Sequence, residues 1–130
     1  MATVLIVDDD AATLESLSEA LELSGFEVAA ARSGPEALEL VRRRRPAAVL
    51  VDYRMPQMSG VEVIAHLRAM PGLEDLCVIV ASAWPELPQD LDPSALVVEK
   101  PFSIDTLVEL LERCGVRASG ATPTCDALPS

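Results

Sequence analysis

Short apolar runs recur along the chain, and amphipathic segments separate them. Four of the runs show no regular polar alternation: TVLIV at 3–7, AAVLV at 47–51, CVIVA at 77–81 and LVV at 96–98. Runs of this kind are typical of strands that are covered on both faces, as in parallel sheets. A fifth run, FEVAAA at 26–31, alternates at its start and therefore predicts an edge strand.

The segments between the runs have the periodicity of helices. Leu14, Leu17 and Leu21 recur at helical spacing, and Gly25 follows as a stop signal. Ser33 begins an S-x-x-E capping box, so a second helix starts there, and we expect Pro46 to close it.

Two further helices are predicted in the second half of the chain. Gly60 opens one of them, and Pro71 halts it. Ser103 caps the last helix, whose apolar positions follow at i, i+3, i+4 and i+7 from Ile104.

Strands and helices thus alternate almost throughout, which predicts an α/β fold: an open, doubly wound parallel sheet with helices on both faces. The segment WPELPQDLDPSA at 84–95 departs from this pattern, because its three prolines leave room for little helix. We therefore expect a fourth crossover helix to be short or missing. Residues 1–115 are predicted to form one domain, and the small, polar residues 116–130 a flexible tail.

Charge and composition exclude several classes of protein. The formal net charge is -11, which argues against nucleic acid as a partner because phosphate recognition requires clustered Lys and Arg. No apolar run approaches the roughly 20 residues that span a bilayer, and the start of the chain does not resemble a signal peptide. We therefore expect a cytoplasmic protein without a membrane partner.

The cysteines suggest no special chemistry. There are three of them, without a C-x-x-C pair and with a single His in the chain, so the sequence predicts neither a disulfide framework nor a zinc site. Cys77 lies in an apolar run and is interpreted as a core residue.

Reactive side chains follow most of the predicted strands. They are Asp8, Asp9 and Asp10 after the first, Asp52 after the third, Ser82 after the fourth, and Glu99 and Lys100 after the last. Because a parallel sheet binds its ligand at the carboxyl ends of its strands, these groups are expected to converge. Clustered carboxylates repel one another unless a cation neutralises them, and Mg²⁺ prefers carboxylate oxygens and phosphate. The set fits metal-assisted chemistry on a phosphoryl group.

The choice of nucleophile follows by elimination. His66 falls within a predicted helix, so no Ser-His-Asp arrangement is available, and neither glycine-rich nucleotide-binding motif is present. A carboxylate nucleophile is left, and Asp52 is the isolated candidate. The purely structural alternative, in which Asp8 to Asp10 cap a helix and Asp52 starts a turn, fits Asp10 but does not account for all of these positions.

The motifs VDDD at 7–10, DYRMPQMSG at 52–60, ASA around Ser82 and KPF at 100–102 occur in this order at strand ends. Over roughly residues 2–114 the chain therefore resembles the receiver domain of two-component response regulators. The resemblance implies a flavodoxin-like (βα)₅ fold with strand order 2-1-3-4-5. It also implies a signalling domain that is not an enzyme in the usual sense and at most catalyses its own phosphorylation and dephosphorylation.

The resemblance assigns a role to each site residue. Asp52 is implied to accept a phosphoryl group from the phosphohistidine of a sensor histidine kinase or phosphotransfer protein. Asp8 and Asp9, with the carboxylate of Asp52 and the backbone carbonyl of Arg54, are implied to hold Mg²⁺. Ser82 and Lys100 correspond to the residues that contact the new phosphoryl group. Pro101 corresponds to a proline that often follows a cis peptide bond.

Two departures from the family pattern concern signal output. The position three before the lysine, where the family usually has an aromatic switch residue, is Val97. The interval from Ser82 to Lys100 is short and rich in proline. The leading hypothesis is a stand-alone switch that acts on an unknown downstream protein. The alternative is a receiver-like interaction scaffold that no longer responds to phosphorylation. A metal-dependent phosphatase is disfavoured, because Arg54 stands where a second acidic residue is required.

Arg54 and Trp84 also border the expected site, two residues after Asp52 and Ser82 respectively. We expect these bulky groups to impede the hydrolytic water and so to lengthen the life of an aspartyl phosphate.

Overall fold

A computed structural model describes residues 3–55, 58–73, 76–82 and 95–116. The elements are β1 (Thr3–Val7), α1 (Ala11–Leu23), β2 (Glu27–Ala31), α2 (Gly34–Arg44), β3 (Ala48–Asp52), α3 (Gly60–Arg68), β4 (Cys77–Ser82), β5 (Leu96–Glu99) and α4 (Ile104–Arg113). The five predicted strands are confirmed to within a residue or two at their ends.

The strands form one parallel sheet with the order β2-β1-β3-β4-β5. This is the flavodoxin-like order that the resemblance implied, and β2 is an edge strand as its alternation predicted. The sheet is covered on both faces. Leu5, Val7, Val49 and Val51 pack with α2 and α3 on one face, whereas Val4, Ile6 and Leu50 pack with α1 and α4 on the other.

Side-chain caps fix where the helices begin. Asp10 caps α1 by accepting hydrogen bonds from the Ala12 amide and the Thr13 hydroxyl. The predicted box of α2 is only half formed, since Ser33 accepts from the Glu36 amide but the Glu36 carboxylate accepts from Arg32.

A complete capping box begins α3, where the sequence analysis had noted only Gly60. The Ser59 hydroxyl accepts from the Glu62 amide at 3.3 Å, and the Glu62 carboxylate accepts from the Ser59 amide at 3.0 Å. At its other end α3 stops at Arg68, three residues before the proline that was expected to halt it.

The cysteine prediction was wrong in one respect. Cys77 is a buried core residue, as expected, but its sulfur is bonded to that of Cys114. The two residues lie 37 positions apart in sequence, and their Cα atoms are 5.9 Å apart, a spacing that a disulfide bridges readily. Spacing along the chain gave no hint of the pair, because the pairing depends on where α4 packs.

Several expectations fall on residues outside the described ranges. These are the short or missing helix at 84–95, the packing of Trp84 and Pro56, and the tail, of which residues 117–130 are outside. Among the described residues, no helix has both the length and the apolar character needed to cross a membrane.

A glycine is needed at position 60, the start of α3, because the backbone of Asp52 and Tyr53 passes very close to its Cα. A Cβ at this position would lie 2.8 Å from the carbonyl oxygen of Asp52 and 3.0 Å from the Cα of Tyr53. The backbone of this loop thus contacts the helix directly, and no side chain fits between them.

We expect Gly60→Ala to lower the free energy of unfolding by about 1–3 kcal/mol, since the clash is with backbone that must move. Ala65→Ser is the matched control, because Ala65 is an exposed position of the same helix, where a substitution has little effect. Urea denaturation should show the smaller loss for Ala65→Ser. Equal losses would contradict the close-approach explanation.

Candidate functional site

The register of the sheet aligns the ends of β1 and β3. Val7 lies beside Val51, so Asp8 and Asp52 are the next residues in step on adjacent strands. Backbone hydrogen bonds continue past the strand ends: the Asp8 amide donates to Ala31, and the Tyr53 amide donates to Ala81. These bonds hold the two aspartates side by side.

Lys100 is placed by the same extension of the ladder. Its amide donates to the carbonyl oxygen of Ser82 at 2.8 Å, which ties the end of β5 to the end of β4. The peptide bond between Lys100 and Pro101 is cis, as the resemblance implied.

The side chains of Asp8, Asp52 and Lys100 meet in one contact set. Lys100 Nζ donates to Asp52 Oδ1 at 3.0 Å and lies 3.6 Å from Asp8 Oδ2. The Asp8 side chain is 7% exposed and that of Asp52 is 12% exposed. Because water is largely excluded from both carboxylates, their interactions with the ammonium group are weakly screened.

Asp9 completes a group of three carboxylates. One carboxylate oxygen from each of Asp8, Asp9 and Asp52 lies within 4.8 Å of the other two. Asp9 is exposed and lines a shallow surface pocket together with Arg54 and Ser59. The predicted metal ligands are therefore neighbours, and the cluster has the oxygen donors that a hard divalent cation prefers.

The electrostatics of the cluster favour a bound cation. Burial raises the pKa of Asp8, and the nearby charges of Asp52 and Asp9 add to this effect. Its hydrogen bond from the Asp10 amide and the charge of Lys100 act in the opposite direction but do not cancel the rise. Burial alone would lower the pKa of Lys100, but its hydrogen bond to Asp52 and the charges of Asp52 and Asp8 raise it. The ammonium group is therefore firmly protonated at neutral pH.

Ser82 ends β4, the strand beside the one that Asp52 ends. It is 2% exposed and lies one residue beyond the position that pairs with Asp52. Because its carbonyl oxygen accepts the hydrogen bond from the Lys100 amide, Ser82 lies at the same end of the sheet as Asp52 and Lys100.

A pocket of about 600 Å³ beside α1 gives access to the side chains of Asp8, Asp52 and Lys100. Asp8, Asp52 and Lys100 lie at its polar end, and its walls include Thr13 and Phe102. Neither wall residue was predicted from the sequence to lie at the site. Both are near a site motif along the chain, since Thr13 lies three residues after VDDD and Phe102 is the last residue of KPF.

A family comparison agrees with this geometry. The model of the family described as "Response regulator receiver domain" matches residues 4–112. The chain belongs to this family. It is therefore a receiver domain of the two-component type, as its motifs predicted.

Two curated relatives are similar to this receiver over most of its length. It is 40% identical over 132 residues to "Transcriptional regulatory protein PrrA" of Mycobacterium bovis, covering 97% of this chain and 57% of the relative. It is 38% identical over 109 residues to "Response regulator MprA" of Mycobacterium sp. strain KMS, covering 81% of this chain and 46% of the relative. The chain spans about half the length of the curated relatives it matches.

Solved structures have the same fold. Chemotaxis response regulator CheY4 of Vibrio cholerae superposes with a TM-score of 0.79 at 27% identity, covering 88% of this chain and 98% of that one. Response regulator TrrA of Thermotoga maritima, solved in complex with Mg²⁺-BeF, superposes with a TM-score of 0.79 at 32% identity. That match covers 88% of this receiver and 99% of TrrA.

The raised pKa of Asp8 gives a prediction with a definite sign. A carboxyl group whose pKa is raised by folding destabilises the folded state once it is ionised, and this cost disappears as the pH falls through the raised value. At pH 7 without metal, Asp8→Asn should therefore raise the melting temperature by a few degrees. The same variant should lose most of the stabilisation that we expect Mg²⁺ to give the unaltered protein, because a predicted metal ligand is removed.

Asp10→Asn is the matched control, since Asp10 is an exposed cap outside the carboxylate group and Asn caps equally well. Thermal melts with and without Mg²⁺ should show a normal metal response for this control. A metal response that survives in Asp8→Asn would contradict the proposed set of ligands.

Proposed function

We propose that this receiver accepts a phosphoryl group on Asp52 from a sensor histidine kinase or phosphotransfer protein, and that the modification switches a surface that binds a downstream protein. The reaction is Mg²⁺-dependent and takes place in the cytoplasm. The observation that carries the proposal is the contact of Lys100 Nζ with Asp52 Oδ1 at 3.0 Å beside two further carboxylates.

The nucleophile in this proposal is a carboxylate oxygen of Asp52. It attacks the phosphorus of the phosphohistidine in line with the bond to the imidazole nitrogen, and that bond breaks as the aspartyl phosphate forms. Phosphoryl transfer asks a protein mainly for positioning and for neutralisation of charge. The backbone ladder at the ends of β1, β3 and β4 supplies the positioning.

Lys100 supplies part of the neutralisation. Its ammonium group already contacts the attacking carboxylate and sits on the side from which the pocket is reached. When Asp52 carries the phosphoryl group, Lys100 pairs with the phosphoryl oxygens instead, as a compact positive charge does well.

The carboxylates of Asp8, Asp9 and Asp52, with the carbonyl of Arg54, are the groups that would hold Mg²⁺. The fit rests on the cluster itself: three oxygens within 4.8 Å and a raised pKa of Asp8 that a cation would relieve. When bound, the ion neutralises charge on the transferring phosphoryl group. TrrA, whose structure contains Mg²⁺-BeF, supports this proposal by similarity.

The output of the switch involves Ser82. In this proposal its side chain moves so that its hydroxyl group donates a hydrogen bond to the phosphoryl group on Asp52. Such a movement shifts an equilibrium between two conformations at the end of β4, and the partner reads the shift. The net charge of -11 favours a protein over nucleic acid as the direct partner of this chain.

Mass spectrometry tests the proposal directly. After treatment with Mg²⁺ and acetyl phosphate, the unaltered protein should gain the mass of one phosphoryl group. Asp52→Asn should gain none, because an amide cannot form the acyl phosphate. Asp10→Asn is the control and should be modified like the unaltered protein. Modification of Asp52→Asn to the same extent would overturn the assignment of the nucleophile.

A specific observation favours the second hypothesis, a scaffold that binds a partner without responding to phosphorylation. Val97 occupies the position of the usual aromatic switch residue, and it is 45% exposed on the edge strand β5. The side chain of valine is smaller than an aromatic ring, so a change in its rotamer cannot fill or vacate the space that a rotating ring would.

Amide spectra separate the two hypotheses. If the receiver switches, beryllofluoride with Mg²⁺ should shift amide resonances in β5 and at the start of α4 as well as those around Asp52. Shifts restricted to the immediate surroundings of Asp52, with phosphorylation intact, would favour the scaffold.

A further inference from the structure

The disulfide between Cys77 and Cys114 lies where the strands begin, at the opposite end of the sheet from Asp52, which lies where the strands end. Cys77 is the first residue of β4, whereas Asp52 and Ser82 are the last residues of their strands. Cys114 is the C-cap residue of α4. The bond therefore links the C-terminal end of α4 to the start of β4.

The two sulfurs differ in access to solvent. Cys77 is 6% exposed and packs in the cluster that includes Leu111 and Val116. Cys114 is exposed at the end of its helix. Because Cys114 is the more exposed residue of the pair, we expect an external thiol or disulfide to react there first, with Cys77 as the internal partner. Exposed disulfides exchange more readily than buried ones.

We propose that Cys77 and Cys114 form a reversible thiol–disulfide site that responds to a low-molecular-weight thiol and its disulfide. A protein in a reducing compartment seldom keeps a permanent disulfide, and those that form there usually sense redox conditions. The proposal is independent of phosphoryl transfer at Asp52.

Oxidation proceeds in two exchanges. The Cys114 thiolate attacks the small disulfide, which forms a mixed disulfide and releases one small thiol. The Cys77 thiolate then attacks the Cys114 sulfur and releases the second small thiol. Overall, two protein thiols lose two protons and two electrons, and the small disulfide gains them. Reduction runs the same steps in reverse and begins with attack on the exposed Cys114 sulfur.

The expected physical effect is a change in how firmly α4 is held. Leu107 and Leu111 bury one face of α4 against the sheet. The bond adds a covalent tie beside Cys114 and closes a loop across 37 positions of sequence. Because such a cross-link restricts the unfolded chain, oxidation should raise the melting temperature by about 10 °C.

The experiment equilibrates the folded protein in buffers with increasing ratios of reduced to oxidised glutathione. Free thiols are then trapped by alkylation, and the Cys77–Cys114 peptide is quantified by mass spectrometry. We expect the linked fraction to fall from most of the protein to a small part of it across the series. The melting temperature should fall in parallel.

Two variants serve as controls. Cys114→Ser should remove the linked peptide, and its melting temperature should no longer change with the glutathione ratio. Because Cys114 is exposed, this substitution should leave the fold intact. Cys125→Ser removes the third cysteine and should behave like the unaltered protein.

Three results would overturn the proposal. Failure of the link to form in oxidised glutathione would mean that the sulfurs do not pair in solution. Persistence of the link at every glutathione ratio would make it a permanent structural bond. A link lost in Cys125→Ser would show that the third cysteine is the true partner.

Discussion

The contact between Lys100 and the two buried carboxylates is the interaction on which the site depends. Asp8 and Asp52 are held side by side by the register of β1 and β3, and each has little access to water. This arrangement is unfavourable for the ionised form of Asp8, since burial and the nearby charge of Asp52 raise its pKa. The ammonium group of Lys100 offsets part of this cost, and the remaining negative charge makes the place suited to a divalent cation.

The rest of the fold explains how these charges can be held together. Both faces of the sheet are covered by apolar packing, and the hydrogen-bond ladder continues through Asp8, Tyr53 and Lys100 beyond the strand ends. Gly60 brings the start of α3 into contact with the backbone of Asp52. Backbone contacts thus fix the positions of Asp8, Asp52 and Lys100, and the side chains of these residues provide the reactive groups.

Most of this arrangement was predictable from the sequence because it rests on local pattern. Unbroken apolar runs identified the strands, and the polar residues that end them identified the site. What was missed depends on long-range packing. The Cys77–Cys114 bond requires α4 to lie beside the start of β4.

The molecule places two different chemistries at opposite ends of one sheet. The carboxylates and Lys100 lie at the carboxyl ends of the strands, and the cysteine pair lies at the beginning of β4. α4 connects them, since it begins shortly after Lys100 and ends at Cys114.

A double-mutant cycle tests the central electrostatic claim most directly. The free energies of unfolding of the unaltered protein, Lys100→Met, Asp52→Asn and the double variant would be measured at pH 7 without metal. The account predicts a favourable coupling between the two residues of about 1 kcal/mol, as expected for a partly buried charge-assisted hydrogen bond. Additive effects, within about 0.3 kcal/mol, would show that Lys100 does not stabilise the Asp52 carboxylate and would contradict the account.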